Sequence, residues 1–490
     1  MSEHVPKNRR PLSIRRAPSL FLVFASLVVW QFQPDALVLA PYLYFLSIVK
    51  FPSLFTWVGL PYIGLFLLYP LAAPLLGLEM AASEEDIAKY CFLAIGGIHL
   101  LILGYESSAP PIARRRWNVR FKTSSNRLSS LLFLLLLLNI GAVLLVIVDA
   151  GTLSVIRSQS RVDMKESVGL LTTVAVLLFG FGTLLYPLAA VHMRRKRYRA
   201  MIWIPVIVCL ELFLFLAFRV RTFPVIHAIA LLAGWFLIAP RIEMGPQKAT
   251  RRSRLTLIQK GLLVGLAGSL LLGMFVLRTF RGQFQEAESL SEIQIDVVGS
   301  ILYAFEGGGE LGYSKWVFRV LEVVPAHHDY LYGQSYYRLL LTPIPRSIWP
   351  DKPLNSQRII AQWIDPDAKS VQTTPVGIIG DLYVNFGMWG VLGMFVFGHL
   401  LGRLDRRDTV ESMLLMAIAF AMIFHLTRGA FTNPVLNLIV YYVIIRLAVG
   451  YLRGKTARTP PQIAAQSSAP HPELPDDERI SDLSGGTTQG

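Results

Sequence analysis

The chain has 490 residues, 53% of them hydrophobic and only 16% charged, with a mean hydropathy of +0.49. That balance excludes an ordinary soluble protein and fits a polytopic membrane protein, in which lipid solvates the apolar excess. The formal net charge of +15 comes in short basic bursts between apolar runs, which argues for cytoplasmic loops and against nucleic acid as a partner.

In chain order, a basic N-terminus over 1–18 (Lys7, Arg9, Arg10, Arg15, Arg16) leads into SLFLVFASLVVW without a small-residue cleavage site. This first apolar run is therefore expected to remain as a span. Residues 19–50 read as two short spans broken at Gln33–Asp35. Further apolar runs lie near 54–76, 87–105, 128–148, 168–191, 200–218, 222–239, 258–277, 377–401, 409–427 and 434–452. Each approaches the roughly 20 residues that a crossing helix needs. Two spans in 19–50 put the N-terminus and the loop bearing Arg114, Arg115, Arg116, Arg120, Lys122 and Arg127 on one cytoplasmic side, with Ser83–Asp86 outside. Arg194–Arg199, the cluster Arg251, Arg252 and Arg254, and Arg403–Arg407 then fall inside in turn.

The expected architecture is all-α, a polytopic integral membrane protein of about twelve transmembrane helices with both termini cytoplasmic. An N-terminal transmembrane bundle over 19–277 is followed by a large extracytoplasmic loop over 278–376. C-terminal transmembrane helices occupy 377–455, and a disordered cytoplasmic tail rich in Pro, Ser, Gln and Asp takes 456–490. A connection of that length is too long for a simple link and is expected to contain short helices. Cys91 and Cys209 both lie in apolar runs and read as small hydrophobes, not as a disulfide or a metal framework.

Under this threading, arginines gather on the outer side against the topological bias: Arg219 and Arg221, Arg278 and Arg281, Arg346, and Arg428. Guanidinium groups grip phosphate through paired hydrogen bonds, so several together suit a diphosphate; the plain alternative is that they snorkel and anchor helix ends. Aromatic residues accompany them (Trp316, Tyr330, Tyr332, Tyr336, Tyr337, Trp349, Trp363, Tyr383, Trp389), which suits sugar stacking or a membrane-interface belt. Asp329, Asp351 and Asp381 are outer carboxylates able to accept a proton, and Asp381 could equally cap the helix it begins. Asp365–Asp367 reads as a turn, not a metal-binding pair, and His327 and His328 lack the further histidine a metal site would need. Glu211 is the exceptional midplane charge.

The segment DYLYGQSYYRLLLTPIPRSIWPDKPLN and the later GIIGDLYVNFGMWGVLG resemble the oligosaccharide repeat-unit polymerases of bacteria, the O-antigen and capsule polymerase family. That family shows G-x-S-Y, then I-P-R-x-x-W-P-x-K-P, then G-E-x-Y-x-N-F-G. The first is matched by Gly333, Ser335 and Tyr336, and the second by Ile344, Pro345, Arg346, Trp349, Pro350, Lys352 and Pro353. The third is matched by Gly380, Tyr383, Asn385, Phe386 and Gly387, with Asp381 in place of the usual glutamate. Arg428–Gly429 in a late outer turn also fits. The strong match covers roughly residues 328–400.

The resemblance implies a membrane glycosyltransferase of the bacterial inner membrane. It would polymerise polyprenyl-diphosphate-linked (undecaprenyl-type) repeat units into O-antigen or a related surface polysaccharide at the outer face. Arg219, Arg221, Arg278, Arg346, Lys352 and Arg428 are the expected diphosphate contacts; Tyr336, Trp349, Tyr383 and Asn385 are the expected glycan contacts. The proton acceptor is expected among Asp381, Asp351 and Asp329. Donor and acceptor are both lipid-linked oligosaccharides, no cofactor or metal is needed, and a chain-length regulator is an expected partner. The rival readings are an O-antigen ligase, a flippase or transporter for lipid-linked glycans, and a structural scaffold. A transporter predicts midplane charges and an internal repeat; the spans hold few such charges and no repeat is evident.

Overall fold

A computed structural model of the chain describes residues 82–108, 125–149, 178, 182–195, 202–203, 205–211, 222–239, 299, 311–341, 349, 353–367, 374–406, 409–429 and 431–453. It divides the chain into a unit over 1–452 and a second over 453–490; of the second, only Arg453 is described. Among the described residues the protein is all-helical, with no strand. Among the described residues, four helices are long and apolar enough to cross a membrane: Glu84–Ser108, Asn126–Leu145, Gly377–Asp405 and Val410–Arg428. The expected spans within 19–76 and 258–277 lie outside the described residues.

We label the helices α1 (Glu84–Ser108), α2 (Ser125–Asp149), α3 (Leu185–Arg195) and α4 (Thr222–Ala233, continued to Ile238 by a wider turn). The segment before the last spans holds α5 (Ser314–Val323), α6 (Gln334–Leu341) and α7 (Ser356–Ile364). Then come α8 (Gly377–Asp405), α9 (Val410–Arg428) and α10 (Thr432–Arg453).

The helix starts follow local chemistry. Ser83 accepts from the Asp86 N–H at 3.1 Å ahead of α1, whose first turn carries Glu84, Glu85 and Asp86. Thr409 does the same for Ser412 at 3.2 Å ahead of α9. Each side chain satisfies an amide that a helix start leaves without an intrahelical partner, and the acidic turn complements the helix dipole.

The bundle helices carry stripes of exposed apolar residues. In α2, Phe133, Leu137, Ile140, Leu144 and Val148 stand out on one face, while Leu128, Leu131, Leu132, Leu135, Ala142 and Val143 are buried on the other. Leu392, Val396 and Leu400 make a similar stripe on α8, as do Ile439, Val443 and Leu447 on α10. Stripes of this kind are solvated by acyl chains and not by water, so the chain is a membrane protein.

Two cores share one helix. The first joins α1, α5, α7 and α8; the second joins α2, α3, α4 and α10. α9 serves both, with Met416, Phe420 and Ile423 in the first and Leu414, Ile418 and Met422 in the second. Lipid removes the usual hydrophobic drive between helices, so close backbone approach matters more. α1 and α8 use it: a Cβ on Gly104 would collide with the backbone of Phe395 and His399, and one on Gly398 with the backbone of Leu101.

α1 and α8 also define the two ends of the bundle. At one end, Tyr90 of α1 meets Phe318 of α5 at 4.7 Å between ring centroids. At the other, Tyr105 hydrogen-bonds Asp405, and Ser107 pairs with His399 at 2.7 Å. The short helices α5, α6 and α7 cover the α8 N-terminus and the α9 C-terminus. The midplane glutamate singled out in the sequence has partners: Glu211 accepts from Tyr186 and lies 2.9 Å from His227, whose ring stacks on Tyr186 at 4.1 Å.

Candidate functional site

The first turns of α8 hold the densest polar cluster at the end covered by α5–α7. Asp381 is the fifth residue of α8 and is fully buried, at 0% exposure. It does not cap the helix; Val376 occupies that position and makes no side-chain cap. Asp381 instead joins two distant segments. Its Oδ1 accepts from the Ser356 hydroxyl at the first residue of α7, and its Oδ2 accepts from the Phe431 N–H at 3.1 Å.

Ser356 is aimed by its neighbour. Asn355 caps α7 by accepting from the Arg358 N–H at 3.0 Å, which fixes where the helix begins. The Tyr336 phenol of α6 lies against the same carboxyl without a well-aligned hydrogen bond. Burial, and then the adjacent Asp381 charge, push the Tyr336 phenol far above its ordinary value, so it stays protonated.

One turn further along α8, Asn385 is likewise fully buried. It donates to the Asp381 carbonyl at 2.7 Å and accepts from the Ser335 hydroxyl at 3.0 Å. Tyr383, 3% exposed, donates to the Val324 carbonyl at 2.9 Å and packs edge-on to Tyr330 at 5.9 Å. The Leu331 N–H donates to the Val384 carbonyl at 2.9 Å. α8 then bends at Gly387, with φ +60°, where a Cβ would press on the Tyr330 ring at 3.0 Å.

The remaining wall is the turn after α9. Arg428 is the last residue of α9, half-buried, with its guanidinium over the Tyr313 ring at 4.7 Å and a hydrogen bond to the Tyr313 hydroxyl. Three residues on, Phe431 packs edge-on against Tyr336 at 5.8 Å and Phe397 at 5.7 Å. The amide that Asp381 accepts therefore belongs to the turn that carries Arg428.

Of the residues expected from sequence, Tyr336, Asp381, Tyr383, Asn385 and Arg428 meet at this end of α8 and α9. Tyr383 and Asn385 face inward and frame the loop; they present no free surface to a glycan. Asp329 is exposed in the turn before α6, and Trp349 is 38% exposed. Arg219, Arg221, Arg278, Arg346, Asp351 and Lys352 lie outside the described residues. Asp365–Asp367 forms an exposed turn in which the Asp367 N–H donates to Asp365 at 3.2 Å. His328 stacks on Trp363 at 4.6 Å. Among the described residues, no group of three His, Cys, Asp or Glu side chains is placed to hold a metal ion.

Sequence reasoning gave no role to Tyr313, Ser356 or Phe431, and placed Ser335 in a motif without assigning it a contact. Two had a local signal: Ser335 lies in the G-x-S-Y match, and the Asn355–Ser356 pair after Pro353 reads as a helix cap and first turn. Tyr313 and Phe431 are found only by pairings across 50 or more positions.

The chain is similar to the O-antigen polymerases of Salmonella typhimurium and Salmonella typhi, in each case 25% identical over 155 residues. The matched stretch is 30% of this chain and spans about 38% of the length of those relatives. No family model matches the chain, and no solved structure matches it.

Proposed function

We propose that the chain is a membrane glycosyltransferase that polymerises polyprenyl-diphosphate-linked oligosaccharide repeat units into O-antigen or a related surface polysaccharide at the outer face of the bacterial inner membrane. The observation that carries this reading is the gathering of Tyr336, Asp381, Asn385 and Arg428, from three stretches distant in sequence, at one end of α8 and α9. Similarity to O-antigen polymerases gives it a reaction class.

In the proposed transfer the anomeric carbon–oxygen bond to the donor diphosphate breaks, and the lipid diphosphate leaves with the electron pair. A hydroxyl of the acceptor repeat unit forms the new glycosidic bond and loses its proton to a carboxylate. Charge that builds on the departing diphosphate is met by Arg428, with Arg219, Arg221, Arg278, Arg346 and Lys352 as further proposed contacts. Asp329, exposed beside α6, and Asp351 are the proposed proton acceptors. Asp381 has both oxygens engaged and no exposed surface, so we assign it a positioning role, holding the Arg428 turn against α7. Lipid diphosphates stay in the bilayer, so a site at the end of the bundle is where both substrates meet.

A deletion strain tests the reading. Cells lacking the protein are expected to carry single repeat units on their surface glycolipid. Loss of all repeat units with unlinked polymer retained would identify a ligase, and precursor trapped inside would identify a transporter. Either outcome would overturn the proposal.

A further inference from the structure

Two aromatic rings exposed near this site, Tyr332 and Phe386, are not among the glycan contacts expected from the sequence. Tyr332 is 74% exposed and Phe386 41%, and they flank Gly333: Tyr332 precedes it, and a Cβ on Gly333 would meet the Phe386 ring at 3.5 Å. Tyr332 has φ +46° and Gly333 φ +85°. Left-handed backbone is routine for glycine but disfavoured for a bulky aromatic residue.

The turn is held in place from several sides. Besides the bond from Leu331 to Val384, the Gln334 N–H donates to the Leu331 carbonyl at 2.9 Å, and Ser335 is anchored on Asn385 at 3.0 Å. Tyr330 sits between Tyr332, edge-on at 6.1 Å, and Tyr383, edge-on at 5.9 Å. The buried frame of Tyr383 and Asn385 thus fixes a strained turn whose visible product is a tyrosine ring held in the open. Strain of this kind persists where the surroundings over-determine it, and it gathers at binding sites.

A ring needed only at the membrane interface requires no such backbone. Trp389, 79% exposed on the other side of Gly387, stands out without left-handed backbone. Polar groups flank the turn: Asp329 precedes it by three residues, and Gln334 and Tyr337 follow on α6, all exposed. Apolar ring faces edged by hydroxyl-binding groups are what a pyranose requires.

We propose that Tyr332 and Phe386 form a stacking platform for a pyranose ring of the acceptor repeat unit, placing its hydroxyls beside Asp329. The proposal rests on the glycan-polymerase reading and adds to it the seat of one substrate.

The test uses the full chain in lipid nanodiscs and, as probe, the source strain's repeat-unit oligosaccharide freed from its lipid by mild acid. Saturation-transfer NMR gives its Kd. Tyr332→Ala and Phe386→Ala are each expected to weaken binding about fivefold, the effect of losing one aromatic partner, while Tyr332→Trp binds like the wild type. In polymerisation assays the KM for lipid-linked repeat unit should rise with kcat preserved. Tyr332→Gly separates strain from function, because it should melt at a higher temperature yet bind about fivefold more weakly.

Unchanged binding in Tyr332→Ala, Phe386→Ala and Tyr332→Gly, with a binding wild type, overturns the platform alone. The platform also falls if Tyr332→Ala changes only the melting temperature, as loss of an interface anchor would. A wild type that neither binds the oligosaccharide nor extends it overturns the functional reading as well.

Discussion

At the residue scale, Asp381 shows how a carboxylate can matter without touching substrate. Two donors from distant segments converge on it, so Asp381→Ala would leave the buried Ser356 hydroxyl and the part-buried Phe431 amide without this acceptor. An unpaired buried donor costs roughly 1–3 kcal/mol, and thermal unfolding of purified Asp381→Ala should show a loss of that order. Asp381→Asn keeps one accepting oxygen and should lose less. Arg428 is the described cation best placed to face an anion. Arg428→Lys gives up the planar stack on Tyr313 while keeping charge, and should slow polymerisation on the order of tenfold or more at normal protein level. Arg428→Ala should slow it on the order of 10²-fold, the effect of removing one preorganised donor. The importance of Asp381 was readable from its motif. Its engagement was not, because an i-to-i+50 pairing leaves no trace in local spacing.

At the element scale, the long apolar helices were the most legible part of the chain. The runs read at 87–105, 128–148 and 377–401 appear within helices Glu84–Ser108, Ser125–Asp149 and Gly377–Asp405, and that at 409–427 matches Val410–Arg428 with its cap Thr409. Length and hydropathy suffice because lipid forces an apolar crossing segment to satisfy its own backbone. What packs against what is less legible. Nothing in the sequence distinguishes Gly104 and Gly398, which sit in backbone contact between α1 and α8, from Gly141, which has nothing within 4 Å of its Cβ position. The distinction is testable. Gly104→Leu and Gly398→Leu should each destabilise by about 1–3 kcal/mol or prevent accumulation, as overpacking does. Gly141→Ala should be neutral or stabilising by roughly 0.5–1 kcal/mol, since alanine favours the helix interior. Detergent-solubilised melting curves read all three.

At the scale of the whole molecule, α9 joins two cores and ends in Arg428, so bundle packing and the proposed chemistry share one helix. The turn after it is tied by Asp381 to α7, and Asp381 is also the centre on which α6 closes through Tyr336. The two ends of the bundle can be assigned to membrane sides by labelling. In a Cys91→Ser, Cys209→Ser background, Glu322→Cys should react with a membrane-impermeant maleimide on intact spheroplasts, and Arg403→Cys only after permeabilisation. The reverse pattern would put the proposed site on the cytoplasmic side and exclude transfer at the outer face. The central claim, repeat-unit polymerisation, is tested most directly by supplying the purified protein in nanodiscs with purified lipid-linked repeat unit and resolving products by gel electrophoresis. A ladder rising in single-repeat steps, absent in Arg428→Ala, is the expected result; intact single units with active, folded protein would contradict it.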